Sequence, residues 1–394
     1  MVRSAADLVA DVVILGGGIA GLWLLDRLRA DGYSVVLLEA EKLGGGQSVA
    51  SQGIIHGGAK YTLGFGFDGA VRELREMPSV WRSGLEGRSG PDLAKARLLS
   101  QRTHLWIPSQ LGGGLIGAFS RLVMRSRVRS LPRPEWPEAL QHAGSKGAVY
   151  ALDEVVVDVP SVLSALEAAH HDCIRRIPDG VQPTFEGGRA QLGELSIEAQ
   201  RFVFAAGGGN EKLLAQAGLN DWPYRRRPLH QLMLGGIEQP LYAHCVGKNP
   251  KPLATVTTHP TASGEGIWYV GGLMAEEGVE QNAERLIEHA RGRLPELFPA
   301  VDFGSARWAT FRVDRAEGIA SSVRHLGGPI LSEKNEFLAV WPTKLALAPA
   351  LTERVRQRFL AQGLQPRPSD LAALALWDRP EVARPPWEEA KWVD

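Results

Sequence analysis

Apolar residues fall along this chain in short solid blocks and in longer periodic stretches, and the order of the two outlines an architecture. Residues 12–15 are four consecutive apolar positions rich in β-branching, the pattern of a strand buried on both faces. Glycines follow at 16–18. The apolar stretch 19–30 then predicts a helix, and the block 35–38, closed by Glu39, predicts a second strand. Residues 161–171 are apolar on one face and predict another helix. It leads to a strand at 173–177, with a further strand starting near Val181. Residues 201–210 read as a buried strand running into a glycine turn. Residues 337–341 form a last short strand, after which Pro342 opens a helix over about 345–360. Strands alternating with helices predict an α/β fold around a parallel sheet.

Two segments break this rhythm. Residues 98–150 are rich in Arg, Pro and Gly, and 229–312 carry strand-like blocks at 254–258 and 267–271 with one helix near 280–294. At 394 residues, two domains are expected. We assign 1–97, 151–228 and 313–394 to a discontinuous α/β domain, and 98–150 and 229–312 to a mostly antiparallel second domain that interrupts it. The Pro-rich tail after Gln365 reads as an extended segment pinned by Trp377, Trp387 and Trp392.

Composition narrows the function classes. Lys plus Arg equals Asp plus Glu at 44 each, so no global field draws the protein to nucleic acid. The two cysteines, Cys173 and Cys245, lie far apart, which excludes a disulfide framework and a C-x-x-C dithiol centre. The longest uninterrupted apolar or glycine run, 12–25, is 14 residues and too short to span a bilayer. Cleaving it as a leader would destroy the glycine motif, so a cytoplasmic protein is expected.

That motif carries the chemistry. Gly16, Gly18 and Gly21 form G-x-G-x-x-G between strand and helix. The first allows the tight turn, the second lets backbone approach a pyrophosphate, and the third lets the helix pack on the strand. Ile19 and Ala20 open the helix whose positive N-terminus faces the phosphates. Glu39, 18 residues after Gly21, ends the second strand where an acid hydrogen-bonds ribose hydroxyls. Together they predict a dinucleotide site. A second G-x-G-x-x-G, at Gly112, Gly114 and Gly117, lacks a strand directly before it and an acid-ended strand after it. It reads as a loop, which argues against an NAD(P)H-dependent flavin reductase.

The loop that follows resembles the D-amino-acid oxidase-like flavoproteins, a family that includes glycine oxidase, glycerol-3-phosphate dehydrogenase and L-2-hydroxyglutarate oxidase. Residues 44–61, Gly-Gly-Gly-Gln-Ser-Val-Ala-Ser-Gln-Gly-Ile-Ile-His-Gly-Gly-Ala-Lys-Tyr, are similar to the family segment running from pyrophosphate to isoalloxazine. The resemblance implies non-covalent FAD in a Rossmann-like domain of glutathione-reductase type. It implies cofactor contacts at Ala40 and Lys42 on the ribose rim, and at Gly46, Gln47, Ser48, Ser51, Gln52, Gly53 and Ile54 along the loop. It adds Ala206 and Gly207 at the Ala-Ala-Gly strand end, Val181 at the adenine, and Thr343, Lys344 and Leu345 near the flavin.

Flavin oxidation of a substrate needs a C–H facing N5, a group to take the O–H or N–H proton, and positive charge for the reduced flavin. Lys344, in Trp-Pro-Thr-Lys-Leu, is similar to the family's flavin-proximal lysine and takes the third role. Arg312 falls where the family grips a substrate anion, with Arg315 as the fallback because Val313 replaces the usual proline. Lys60 stands where a family arginine follows His-Gly-Gly. His56 and His230 are the base candidates. The expectation is an FAD-dependent oxidoreductase acting on a small anionic hydroxy acid, polyol phosphate, amino acid or amine by hydride transfer to N5. Electrons pass on to O2 or a quinone. A basic stretch at Arg121, Arg125, Arg127, Arg129 and Arg133 leaves peripheral contact with a cytoplasmic membrane face or a quinone as a further option. The competing class is a flavin-binding protein with a structural, sensing or partner role.

Overall fold

The computed structural model describes residues 6–57, 68–109, 128–142, 145–247, 251–319, 328–369 and 371–394. Its first sheet runs, in spatial order, Ile330–Lys334, Phe337–Trp341, Leu195–Phe204, Ala6–Leu15, Val35–Glu39 and Ile174–Arg176. The last five of these strands are parallel, and Ile330–Lys334 folds back antiparallel on its neighbour. Val12 and Ile14 enter one apolar cluster while Val13 and Leu15 enter another on the opposite face. The four-residue block is therefore solidly apolar because both of its faces are covered. Helices Ile19–Ala30, Val159–His170 and Ala348–Ala361 contribute to the first cluster.

The second sheet orders Arg307–Gly318, Tyr224–Gly235, Gly266–Gly271, Pro252–Pro260, Ala243–Val246, Thr103–Pro108, Gly147–Leu152 and Val128–Leu131. It is antiparallel except where Ala243–Val246 runs parallel to Thr103–Pro108. Asn282 caps helix Ala283–Leu297 through Arg285 N–H at 3.0 Å, and the helix buries Leu286, Ile287, Ala290, Leu294 and Leu297 in this domain's core.

Tyr224–Gly235 and Arg307–Gly318 stay paired for all 12 residues of each strand, running past the positions 229 and 312 suggested as domain limits. No strand begins at Val181: its amide closes a turn on Pro178 O at 3.1 Å, and the next strand is Thr184–Glu186. Pro178 and Pro183 on either side remove ladder donors, which confines the chain to a turn. The tail crosses both sheets: Val382 bridges to Leu43, Val393 bridges to Trp308, and Trp387 stacks on His259 at 4.5 Å. Among the described residues no helix is long and apolar enough to cross a membrane.

Candidate active site

The nucleotide end is shaped by missing side chains. Gly16 has φ +117°, and a Cβ there would meet the Ala206 backbone at 2.5 Å. A Cβ on Gly21 would lie 2.0 Å from Gly16 O, so helix and strand approach as closely as glycine permits. Gly18, the N-cap of helix Ile19–Ala30, offers no side chain, and Ser48 Oγ accepts Ile19 N–H at 3.0 Å instead. A Cβ on Gly18 would meet only Ser48 Oγ, and one on Gly46 nothing within 4 Å, so an open strip runs from the helix N-terminus along the loop. Glu39 Oε2 accepts Gly17 N–H at 2.6 Å and Oε1 accepts Glu41 N–H at 2.9 Å. Burial raises its carboxyl above the ordinary range and these N–H groups partly offset that. Ala40 and Lys42 are exposed at the rim. A Cβ on Gly207, at φ +57°, would lie 2.9 Å from Gln47 Nε2, which reaches Ala316 O at 3.4 Å. These features fit a dinucleotide. Val181, expected at the adenine, lies in a turn where its N–H donates to Pro178 O at 3.1 Å.

Beyond Ser48 the loop docks on the second sheet. Tyr269 Oη donates to Ala50 O at 2.9 Å, and Gln231 Nε2 donates to the same carbonyl at 3.2 Å. Gln52 Nε2 donates to Thr255 O at 2.8 Å and Tyr269 O at 2.9 Å. Ser51 lies within this docked stretch. Gly53, at φ +69°, passes so close to Val157 that a Cβ would sit 2.2 Å from its carbonyl, and Ile54 bridges to Val156. Lys60 and Tyr61 lie outside the described residues, as do the second glycine motif and Arg121, Arg125 and Arg127. Arg129 is paired with Glu135 at 2.8 Å, and Arg133 bonds His142 O and Ser145 O.

The long strand pair sorts the catalytic candidates by face. Residues directly opposite in an antiparallel ladder share a face, and alternate positions point to opposite faces. Gln231, opposite Phe311, points to the cofactor loop. His230, opposite Arg312, therefore points the other way. His230 Nδ1 lies 3.0 Å from Gly278 O and 3.2 Å from Gln281 O, and burial lowers its pKa. Arg312 is exposed and donates to Val279 O at 3.0 Å and to Gln281 O. Both expected site residues thus pin the turn at 278–281 on the far side of the sheet, because a one-residue step along a strand reverses the face.

On the loop side stand Arg227 and Arg315, paired with each other in register, and Glu317 two residues on. Arg227 Nη1 and Arg225 Nη2 reach the buried Glu317 carboxylate at 3.5 and 2.9 Å. Lys344 joins this group from the segment after Phe337–Trp341. Burial pushes its ammonium down to about 8; Glu317 works against that shift, and Arg315 and Arg227 reinforce it. Thr343 just before it is held at φ +62°, a strained value for a β-branched residue, with its Oγ1 donating to Gly328 O at 3.3 Å. Leu345 starts a short 3-10 turn, anchored where Trp81 Nε1 donates to Ala346 O at 3.1 Å. Reading the sequence for chemistry finds Lys344 and, as a fallback, Arg315. It misses Arg227 and Glu317, which only the two-residue alternation from Gln231 indicates.

Residues 11–340 match the model of the FAD dependent oxidoreductase (DAO) family. The chain is 45% identical to a protein of Pseudomonas aeruginosa described as "Probable FAD-dependent oxidoreductase PA4991", over 97% of its own length and 98% of that protein's. The crystal structure of PA4991 superposes with a TM-score of 0.85 over 97% of this chain and 98% of that one, at 41% identity. Glycine oxidase from Geobacillus kaustophilus shares the fold, with a TM-score of 0.65 and 18% identity over 93% of this chain and 98% of that one. Glycerol-3-phosphate dehydrogenase 1 of Mycobacterium tuberculosis is 29% identical over 43% of this chain and 36% of its own.

Proposed function

The chain belongs to the FAD dependent oxidoreductase family, and from that premise we propose that it oxidises a small anionic substrate at a CH–OH or CH–NH carbon. The observation that carries this reading is the cationic cluster at the seam of the two sheets. Lys344, Arg225, Arg227 and Arg315 bring positive charge to one face, and Glu317, with Glu276 3.7 Å from Arg227, offsets part of it, leaving an excess of positive charge beside the cofactor loop. Such an excess, partly shielded from water, favours a carboxylate or phosphate and any negative charge that develops during reaction.

FAD, when bound, supplies the acceptor for the hydride. The protein's part is positional. The glycine strip from Gly16 to Gly21 and the loop from Gly46 to Ile54 hold the cofactor. Gln52, Gln231 and Tyr269 fix that loop to the second sheet. Lys344 supplies charge against the reduced ring. Arg315 takes the substrate anion in place of Arg312, with Arg227 beside it, and the guanidinium fork suits a planar anion. The electrons leave to O2 or a quinone. Buried, well-separated thiols at Cys173 and Cys245 suit a reducing, cytoplasmic setting.

Anaerobic mixing of the FAD-loaded protein with panels of 2-hydroxy acids, polyol phosphates and amino acids tests this. Bleaching of the visible flavin absorbance by one anionic class is the expected result. Silence across all panels would move the protein to the binding or sensing class, and bleaching by NADH or NADPH alone would make it a reductase.

A further inference from the structure

Three side chains from separate parts of the chain meet where the end of the cofactor loop reaches the second sheet. His56 comes from the loop, Glu154 from the segment after Gly147–Leu152, and His244 from the middle of Ala243–Val246. His56 Nδ1 and His244 Nε2 each lie 3.6 Å from the same oxygen, Glu154 Oε2. The three atoms lie within 4.8 Å of one another, and the imidazole centroids are 5.6 Å apart. Glu154 and His244 are buried, while the His56 side chain keeps 17% of its exposure.

The 3.6 Å separation of each imidazole nitrogen from Glu154 Oε2 marks a close charged contact. It is close to the edge of about 3.4 Å that separates ligands held 2.0–2.2 Å from a tetrahedral ion. An outer layer of bonds orients two of the three. Gly57 N–H donates to Glu154 Oε1 at 2.9 Å and Thr103 Oγ1 donates to Oε2 at 3.1 Å. His244 Nδ1 is held 3.0 Å from Thr255 Oγ1, which leaves Nε2 aimed at the carboxylate.

We propose that His56, Glu154 and His244 form a binding site for a single divalent transition-metal ion of the zinc class. Two imidazoles and one carboxylate are the donor set such ions take, with the fourth position left to water on the His56 side. The ion ties the end of the cofactor loop to strands Thr103–Pro108 and Ala243–Val246, and His56 acts as a ligand and not as a base. This site is independent of the proposed oxidation, and its test needs no turnover.

FAD-loaded protein is stripped with a chelator, freed of it, and titrated with Co2+, whose ligand-field absorption reports a low-coordinate nitrogen–oxygen site. Metal analysis after reloading with Zn2+ gives the stoichiometry. One equivalent of Co2+ with strong visible bands, displaced by Zn2+, is expected. His244→Gln and Glu154→Gln should weaken binding about 100-fold or more. His56→Asn, at the partly exposed position, should do the same while the far-UV circular dichroism stays that of the wild-type protein, which separates lost binding from lost folding. Absence of stoichiometric binding in the wild-type protein, or binding unaltered in His56→Asn, would overturn the proposal and make the triad a proton-bearing ion-pair network.

Discussion

The two ends of the cleft are built by opposite means. At the nucleotide end the decisive groups are absent ones, since Gly16, Gly21 and Gly53 sit where a Cβ would strike backbone at 2.0–2.5 Å. At the substrate end the decisive groups are large charged side chains whose meaning depends on which face of one strand pair they occupy. The first kind of site fails when atoms are added and is indifferent to side-chain identity elsewhere. The second survives many substitutions but turns on a one-residue change of position. An error in locating the first costs the fold, and an error in locating the second costs only the chemistry.

Gly21→Val sharpens the contrast most. Its added carbons would press on Gly16 O, and we expect a loss of about 3 kcal/mol or more together with FAD binding, read by chemical denaturation and flavin content. Gly46→Ala, with nothing within 4 Å of the new Cβ, should stay within about 0.5 kcal/mol of wild type. If both glycines behaved alike, the account of the nucleotide end would fail.

Lys344→Met acts at the other end and should leave FAD content near wild type. It should slow anaerobic flavin reduction about 10²–10³-fold in stopped flow, the scale for removing one charge aimed at a developing anion. An unchanged rate would remove Lys344 from the site.

The pH response has two signs. Lys344 falls from 10.5 to about 8 on folding, so between those values the unfolded chain binds the extra proton. Its contribution to the stability of the cofactor-free protein therefore rises with pH across that window. Flavin reduction, which needs the ammonium, should instead fall as pH rises through about 8, approaching tenfold per unit. Lys344→Met should abolish both trends. A rate limb that persists in the variant would assign it to another group.

How much of this was legible in the sequence follows the same division. Strand, glycines, helix and Glu39 were readable because each answers a backbone requirement within some 30 residues. Phe337–Trp341 and Gly266–Gly271 were equally plain, being short apolar blocks with both faces covered. That Arg312 and His230 would contact the turn at 278–281 was not legible, because facing depends on the partner strand. Residue spacing shows that 230 and 231 oppose each other, but it cannot say which of them meets Ala50. The strand expected near Val181 starts instead at Thr184, for a local reason, the prolines on either side of Val181. The grouping of His56, Glu154 and His244 was hidden because those residues lie about 90 or more positions apart and meet only through sheet order.

The central claim is that the face carrying Gln231, Arg315 and Arg227 is the substrate face. Its most direct test is the dissociation constant of the reducing substrate, taken from the concentration dependence of anaerobic bleaching, in Arg315→Ala beside Arg312→Ala. Loss of a charge-assisted contact is worth about 1.5–3 kcal/mol, so Arg315→Ala should weaken binding roughly 10- to 150-fold. Arg312→Ala should shift it less than about threefold while loosening the turn at 278–281. The reverse order, with Arg312 essential and Arg315 dispensable, would contradict the account.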